Sequence, residues 1–252
     1  MTICVEDLYD LGGVPELNES GIICCTCGYG RTVFLIHGTW LTNLDNWAGR
    51  GEPIFSATYK AFGAKGRPYE EFGWSGGNYR GHRTAAAHLL IRRIRVERAR
   101  VNADARIPIT LVGHSHGGNV AIEAINMMVS GEYRDEFRGV RMNLMTLNTP
   151  RRRDYQLTPE ARLRTKHIHV FNRRDIVQVF GGNWIVVRRD RAHIRGWGEY
   201  GIVLRRRFRG AVNVRDRRWR GGIVERHQSN NHVSNWEDRM IRALEERANR
   251  KK

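Results

Sequence analysis

Apolar runs along this chain alternate with segments of helical period. Two runs, 21–27 and 31–37, are split by Gly28-Tyr29-Gly30 and read as a hairpin. Phe55, Tyr59 and Phe62 mark a short helix over 54–62, which Gly63 would end. Residues 70–74 read as a short strand running into Ser75-Gly76-Gly77. The stretch 83–101 places Ala87, Leu90, Ile91 and Ile94 on one helical face, with its arginines mainly elsewhere. A buried-type strand over 107–113 is followed by a helix over 116–129. Strands follow at 141–147, stopped by Asn148-Thr149-Pro150, and at 166–171. Residues 183–188 and 202–208 read as late β segments. The span 236–249, with Met240, Ile241 and Leu244 inward, reads as a closing helix.

Strands that alternate with helices imply an α/β fold: a mostly parallel central sheet flanked by helices. One domain over 1–252 is expected, with 1–30 as an N-terminal β extension and 183–222 as an Arg-rich β insertion. In such sheets chemistry sits just beyond the carboxyl ends of the strands.

Gly113-His114-Ser115-His116-Gly117 has the form G-x-S-x-G. Its setting gives it weight, because it follows the apolar run Ile109-Thr110-Leu111-Val112 and opens the next helix. A turn this sharp leaves no room for neighbouring side chains, which is the work of Gly113 and Gly117. Ser115 would then project above the sheet as nucleophile, over a helix N-terminus that favours developing negative charge. Upstream, the run Val33-Phe34-Leu35-Ile36 ends in His37-Gly38-Thr39-Trp40, so the backbone N–H groups of Thr39 and His116 could form an oxyanion hole. A nucleophilic serine needs a base and an orienting acid. Asp175, just after a strand, is favoured over Asp154 and Asp190. His232, nearest the start of the closing helix, is favoured as base, with His227 as competitor. Trp40 and Trp74 flank the mouth, either lining an acyl pocket or as core or rim aromatics.

His37-Gly38-Thr39-Trp40, the run from Phe72 to Asn78, Gly113 to Asn119 and Asn172 to Val177 together resemble the α/β-hydrolase lipases and esterases. The resemblance covers roughly 32–236 and is similar in flavour to bacterial lipase effectors of type VI secretion and to GPI inositol-deacylase-like proteins. It implies ester hydrolysis by a Ser115, Asp175 and His232 triad, with no cofactor and no metal.

Charge changes the picture of substrate and partners. Forty-three basic residues, all but five of them arginine, stand against 26 acids, a net charge of +17. Arginine pairs with phosphate and carboxylate bidentately. The Arg-rich face therefore suits an anionic membrane surface or an acidic inhibitor protein, and the favoured substrate is a phospholipid. Nucleic acid is not the expected partner. Two further readings are a small-molecule esterase or thioesterase, and a basic binding module on a hydrolase scaffold. Residues 205–209, with Phe208 entering the headgroups, make the expected docking edge. Cys4, Cys24, Cys25 and Cys27 lack the second ligand pair of a zinc site and read as buried thiols or one disulfide. No signal peptide is evident, so cytoplasmic synthesis is the expectation, with signal-independent secretion left open.

Overall fold

The computed structural model describes residues 33–39, 58, 69–77, 79–100, 103, 105–152, 154–172, 175 and 207–216. Six strands form one sheet: β1 (Val33–Ile36), β2 (Tyr69–Phe72), β3 (Ile109–His114), β4 (Met142–Leu147), β5 (Thr165–Asn172) and β6 (Val212–Asp216). Their order is β2-β1-β3-β4-β5-β6, and every neighbouring pair is parallel. Helices α1 (Arg80–Arg100), α2 (His116–Ser130) and the short α3 (Pro159–Arg164) lie between strands.

Every residue of β1, β3 and β4 is buried, so these central strands read as largely apolar runs rather than as an alternation. Phe34, Ile36, Ile109, Leu111, Met142 and Leu144 point into the core shared with α1 and α2. Their chain neighbours Val33, Leu35, Val112 and Met145 turn to the other face and are equally buried. The expected stripe of α1 packs inward: Ala87, Leu90, Ile91 and Ile94 are fully buried. Leu90, Ile91 and Ile94 each contribute roughly 1.5–3 kcal/mol relative to exposure, and the Ala87 methyl less.

The differences from the sequence reading have physical causes. α1 begins at Arg80, three residues early, and Arg83 is buried at 1% rather than solvated. Its Nε donates to the Tyr155 hydroxyl at 2.8 Å, and its guanidinium lies 5.0 Å from that ring centre. Burial pulls the Arg83 guanidinium below its ordinary range and pushes the Tyr155 phenol up. The short α3 is capped by Thr158, whose hydroxyl accepts from the Ala161 N–H, with Pro159 at its first position.

The Arg-rich stretch also differs. Residues 207 and 208 are not strand, and Val212–Asp216 is the sixth strand of the central sheet itself. Phe208 is buried and packs on His167 and His169, at 5.2 and 4.7 Å between ring centres. Those two imidazoles share the Thr146 hydroxyl, each at 2.8 Å. Phe208 therefore cannot insert among headgroups. The hairpin partner at 21–27, the segments 183–188 and 202–206, the closing helix and all four cysteines lie outside the described residues.

Candidate active site

The topology selects one place on the sheet. The chain leaves β1 toward β2 on one side and leaves β3 toward β4 on the other. A crevice opens where neighbouring strands diverge in this way, beyond their carboxyl ends. His37-Gly38-Thr39 follow β1, and Ser115 follows β3. The two meet: a Cβ on Gly38 would stand 2.8 Å from the Cβ of Ser115.

Ser115 has φ 52° and ψ −129°. Among the described residues only Ser115 and Asn148 are non-glycines with positive φ. Such a conformation costs on the order of 1–3 kcal/mol and persists only where its surroundings enforce it. Here they do. The Ser115 N–H donates to the Leu147 carbonyl at 2.9 Å, and the Ser115 carbonyl accepts from the Gly118 N–H at 3.1 Å. The side chain makes no capping bond to α2, so the residue is not an ordinary helix cap. Crowding explains the glycines. A Cβ on Gly117 would fall 2.3 Å from the carbonyl oxygens of Ile36 and His37, and one on Gly113 would fall 2.5 Å from Gly118.

His116 opens α2, where backbone N–H groups have no intrahelical acceptor and an anion is favoured. Its ring is buried, and the Asn119 amide approaches its Nδ1 at 3.0 Å. Thr39 follows Gly38, and its hydroxyl oxygen is buried with no hydrogen-bond partner among the described residues. Asn148 supports the elbow from β4. Its N–H donates to the Val170 carbonyl at 2.9 Å and its Oδ1 accepts from the Asn172 N–H at 3.2 Å. The sequence reading treated Asn148 only as a strand stop. The available signal was its type, since asparagine tolerates positive φ better than most residues.

Asp175 is fully buried three residues beyond β5, and its N–H donates to the Asn172 carbonyl at 3.2 Å. β5 lies two strands from β3, so the two strand ends are about 10 Å apart and need a third side chain between them. His232 and its competitor His227 lie outside the described residues, as do Trp40 and Asp190. Asp154 sits on the segment after β4, 3.3 Å from the buried Arg152 guanidinium, and is engaged there. Trp74 is half-buried against the core, and its indole N–H donates to the His37 carbonyl at 2.9 Å. Among the described residues no three His, Cys, Asp or Glu side chains converge as a metal site would require. No helix among them is long and apolar enough to cross a membrane.

The family model for lipase (class 3) matches residues 39–181, more than half of the chain. The chain belongs to the class 3 lipase family. Class 3 lipases are carboxylic-ester hydrolases, and the matched span of this one contains the Thr39 turn, the Ser115 elbow and Asp175. The parallel sheet with its strand–turn–helix elbow is the α/β-hydrolase fold. Solved structures similar to this class 3 lipase include lysin B from mycobacteriophage D29, at 17% identity and TM-score 0.35, covering 49% of this chain and 48% of that one. The chain thus spans about half the length of lysin B. A cutinase-like protein from Cryptococcus sp. is similar at 14% identity and TM-score 0.43, covering 86% of this chain and 94% of that one. A carboxylesterase from Mesorhizobium loti is similar at 12% identity and TM-score 0.40, covering 87% and 90%. Comparison with curated proteins finds no match.

Proposed function

We propose that this class 3 lipase cleaves carboxylic esters of phospholipids through an acyl-enzyme on Ser115. The observation that carries the reading is the strained backbone of Ser115 at the divergence of β1 and β3, with a side chain that does not serve as a helix cap. The hydroxyl attacks the ester carbonyl, and the proton passes to His232. Buried Asp175 orients that imidazole and stabilises its charged form. The tetrahedral oxyanion is held by the N–H groups of Thr39 and His116. The alkoxide leaving group takes the proton back as the acyl-enzyme forms. Water, deprotonated by His232, then releases the free acid and restores the Ser115 hydroxyl.

The net charge of +17 and the predominance of arginine support an anionic phospholipid surface as the place of action, and an acidic protein as inhibitor. The motif runs His37 to Trp40, Phe72 to Asn78, Gly113 to Asn119 and Asn172 to Val177 support the finer kinship with type VI lipase effectors and GPI inositol-deacylase-like hydrolases. The test is turnover of a short p-nitrophenyl ester by the wild type and by Ser115→Ala. Loss of at least several hundredfold with a retained fold is the expected result. Residual activity above roughly one part in a hundred would remove Ser115 as nucleophile.

A further inference from the structure

Trp74 stands on the loop after β2, 37 residues along the chain from His37, yet the two are joined at three points. The Trp74 backbone N–H donates to His37 Nε2 at 3.2 Å. Its indole N–H donates to the His37 carbonyl at 2.9 Å. The rings stack with centres 5.7 Å apart and planes 24° from parallel. A fourth contact continues the chain of bonds, because His37 Nδ1 lies 2.7 Å from the Gly38 carbonyl oxygen.

These contacts fix the protonation of the ring. A backbone N–H only donates, so Nε2 must accept. The single proton of the neutral imidazole is then on Nδ1, where it donates to Gly38. Neither the other tautomer nor the imidazolium can make both bonds. The consequence lies one bond further on. A trans peptide is planar, and its C=O and N–H point in opposite directions. The Gly38 carbonyl and the Thr39 N–H belong to one such plane. The His37 ring, by holding the carbonyl, sets the direction in which the Thr39 N–H points. The Trp74 indole holds the preceding plane through the His37 carbonyl in the same way. Gly38 packs against Ser115 with no room for a side chain, so this direction is set beside the nucleophile.

We infer that Trp74 and His37 are positioning residues that aim the Thr39 N–H at the developing oxyanion, and that Trp74 is not an acyl-pocket wall. The inference rests on the ester-hydrolase reading above. A misaimed donor is costly, since a displacement near 1 Å can cost on the order of a hundredfold in rate.

The experiment is Trp74→Phe, which keeps a stacking ring and the backbone N–H but removes the indole donor. Its kcat and KM are measured on p-nitrophenyl esters from acetate to octanoate. The positioning role predicts that kcat falls about 10- to 100-fold by the same factor at every chain length, with KM within about twofold. A loss carried by KM that grows with chain length and vanishes for acetate would overturn it in favour of a pocket wall. An unchanged kcat would overturn it outright. A wild type that turns over no ester overturns the hydrolase reading and this role together, whereas an active wild type with an unaffected variant overturns this role alone. Nitrogen-15 NMR of His37 in the wild type needs no turnover and no variant. A neutral ring carrying its proton on Nδ1 is expected, and a proton on Nε2 would overturn the arrangement.

Discussion

Ser115 should be a residue whose natural side chain destabilises the fold, and replacing it in two ways isolates that strain. Ser115→Ala keeps the Cβ and therefore the unfavourable conformation at φ 52° and ψ −129°. Ser115→Gly removes the Cβ and with it the steric penalty. In unstrained backbone, glycine is less stable than alanine by about 0.5–1 kcal/mol from chain entropy. The lost buried carbon adds up to ~0.8 kcal/mol, since Ser115 is only 6% exposed. Relief of strain returns on the order of 1–3 kcal/mol. The terms sum to between about 0.8 kcal/mol against glycine and about 1.7 kcal/mol in its favour, so Ser115→Gly should fall well short of the deficit expected without strain. Urea denaturation of the two inactive variants reads the difference as a shift in midpoint at equal slope. Without strain, glycine would be the less stable by about 1.5 kcal/mol, roughly 3–6 °C in Tm for a chain of this size. A deficit of that full size in Ser115→Gly would refute the strained elbow.

Other outcomes follow from particular contacts. His232→Ala should lower ester turnover by several powers of ten while His227→Ala stays within a few fold; the reverse pattern in parallel kinetics would exchange the two bases. Gly117→Ala should destabilise by about 1–3 kcal/mol and depress activity, because its Cβ would meet backbone carbonyls that cannot swing aside; wild-type stability in that variant would contradict the packing. Burial raises the Glu123 carboxyl above its ordinary range. A group whose folded pKa is raised contributes stability that is complete at low pH and lost as pH rises through the raised value. Glu123→Gln should therefore show a shallower loss of stability than the wild type as pH rises from the acid side, and identical profiles in denaturant titrations would contradict the shift. Turnover of vesicle lipid should require anionic headgroups and fall with salt, while turnover of a neutral soluble ester barely responds; equal rates on zwitterionic and anionic vesicles would detach the charge from docking.

The sheet and its helices were readable because burial on both faces writes continuous apolar runs, and helices write a 3.6-residue period. β1, β3, β4, β5, α1 and α2 all fall where those patterns put them. β6 was misjudged because four arginines at 205–209 dominate its approach, whereas the burial of Phe208, Val212 and Val214 depends on β5 and on the His167–His169 pair. The burial of Arg83 was not legible for a related reason. A buried guanidinium has no signature along the chain, because its partner Tyr155 is 72 residues away. At the site, the Ser115 turn was legible from glycine spacing, since crowding at an elbow admits few residue types. The part played by Trp74 was not, because it depends on a hydrogen bond to a backbone carbonyl, which any residue at position 37 would offer.

The central claim is that the Ser115 hydroxyl is an activated nucleophile facing an oxyanion hole. A fluorophosphonate probe reacts with such a serine and leaves an adduct that peptide mass spectrometry can locate. The account predicts one stoichiometric adduct on the peptide carrying Ser115, lost in Ser115→Ala and formed in step with the loss of esterase activity. Complete inhibition with the adduct on another residue, or an active enzyme that the probe leaves unmodified, would contradict it.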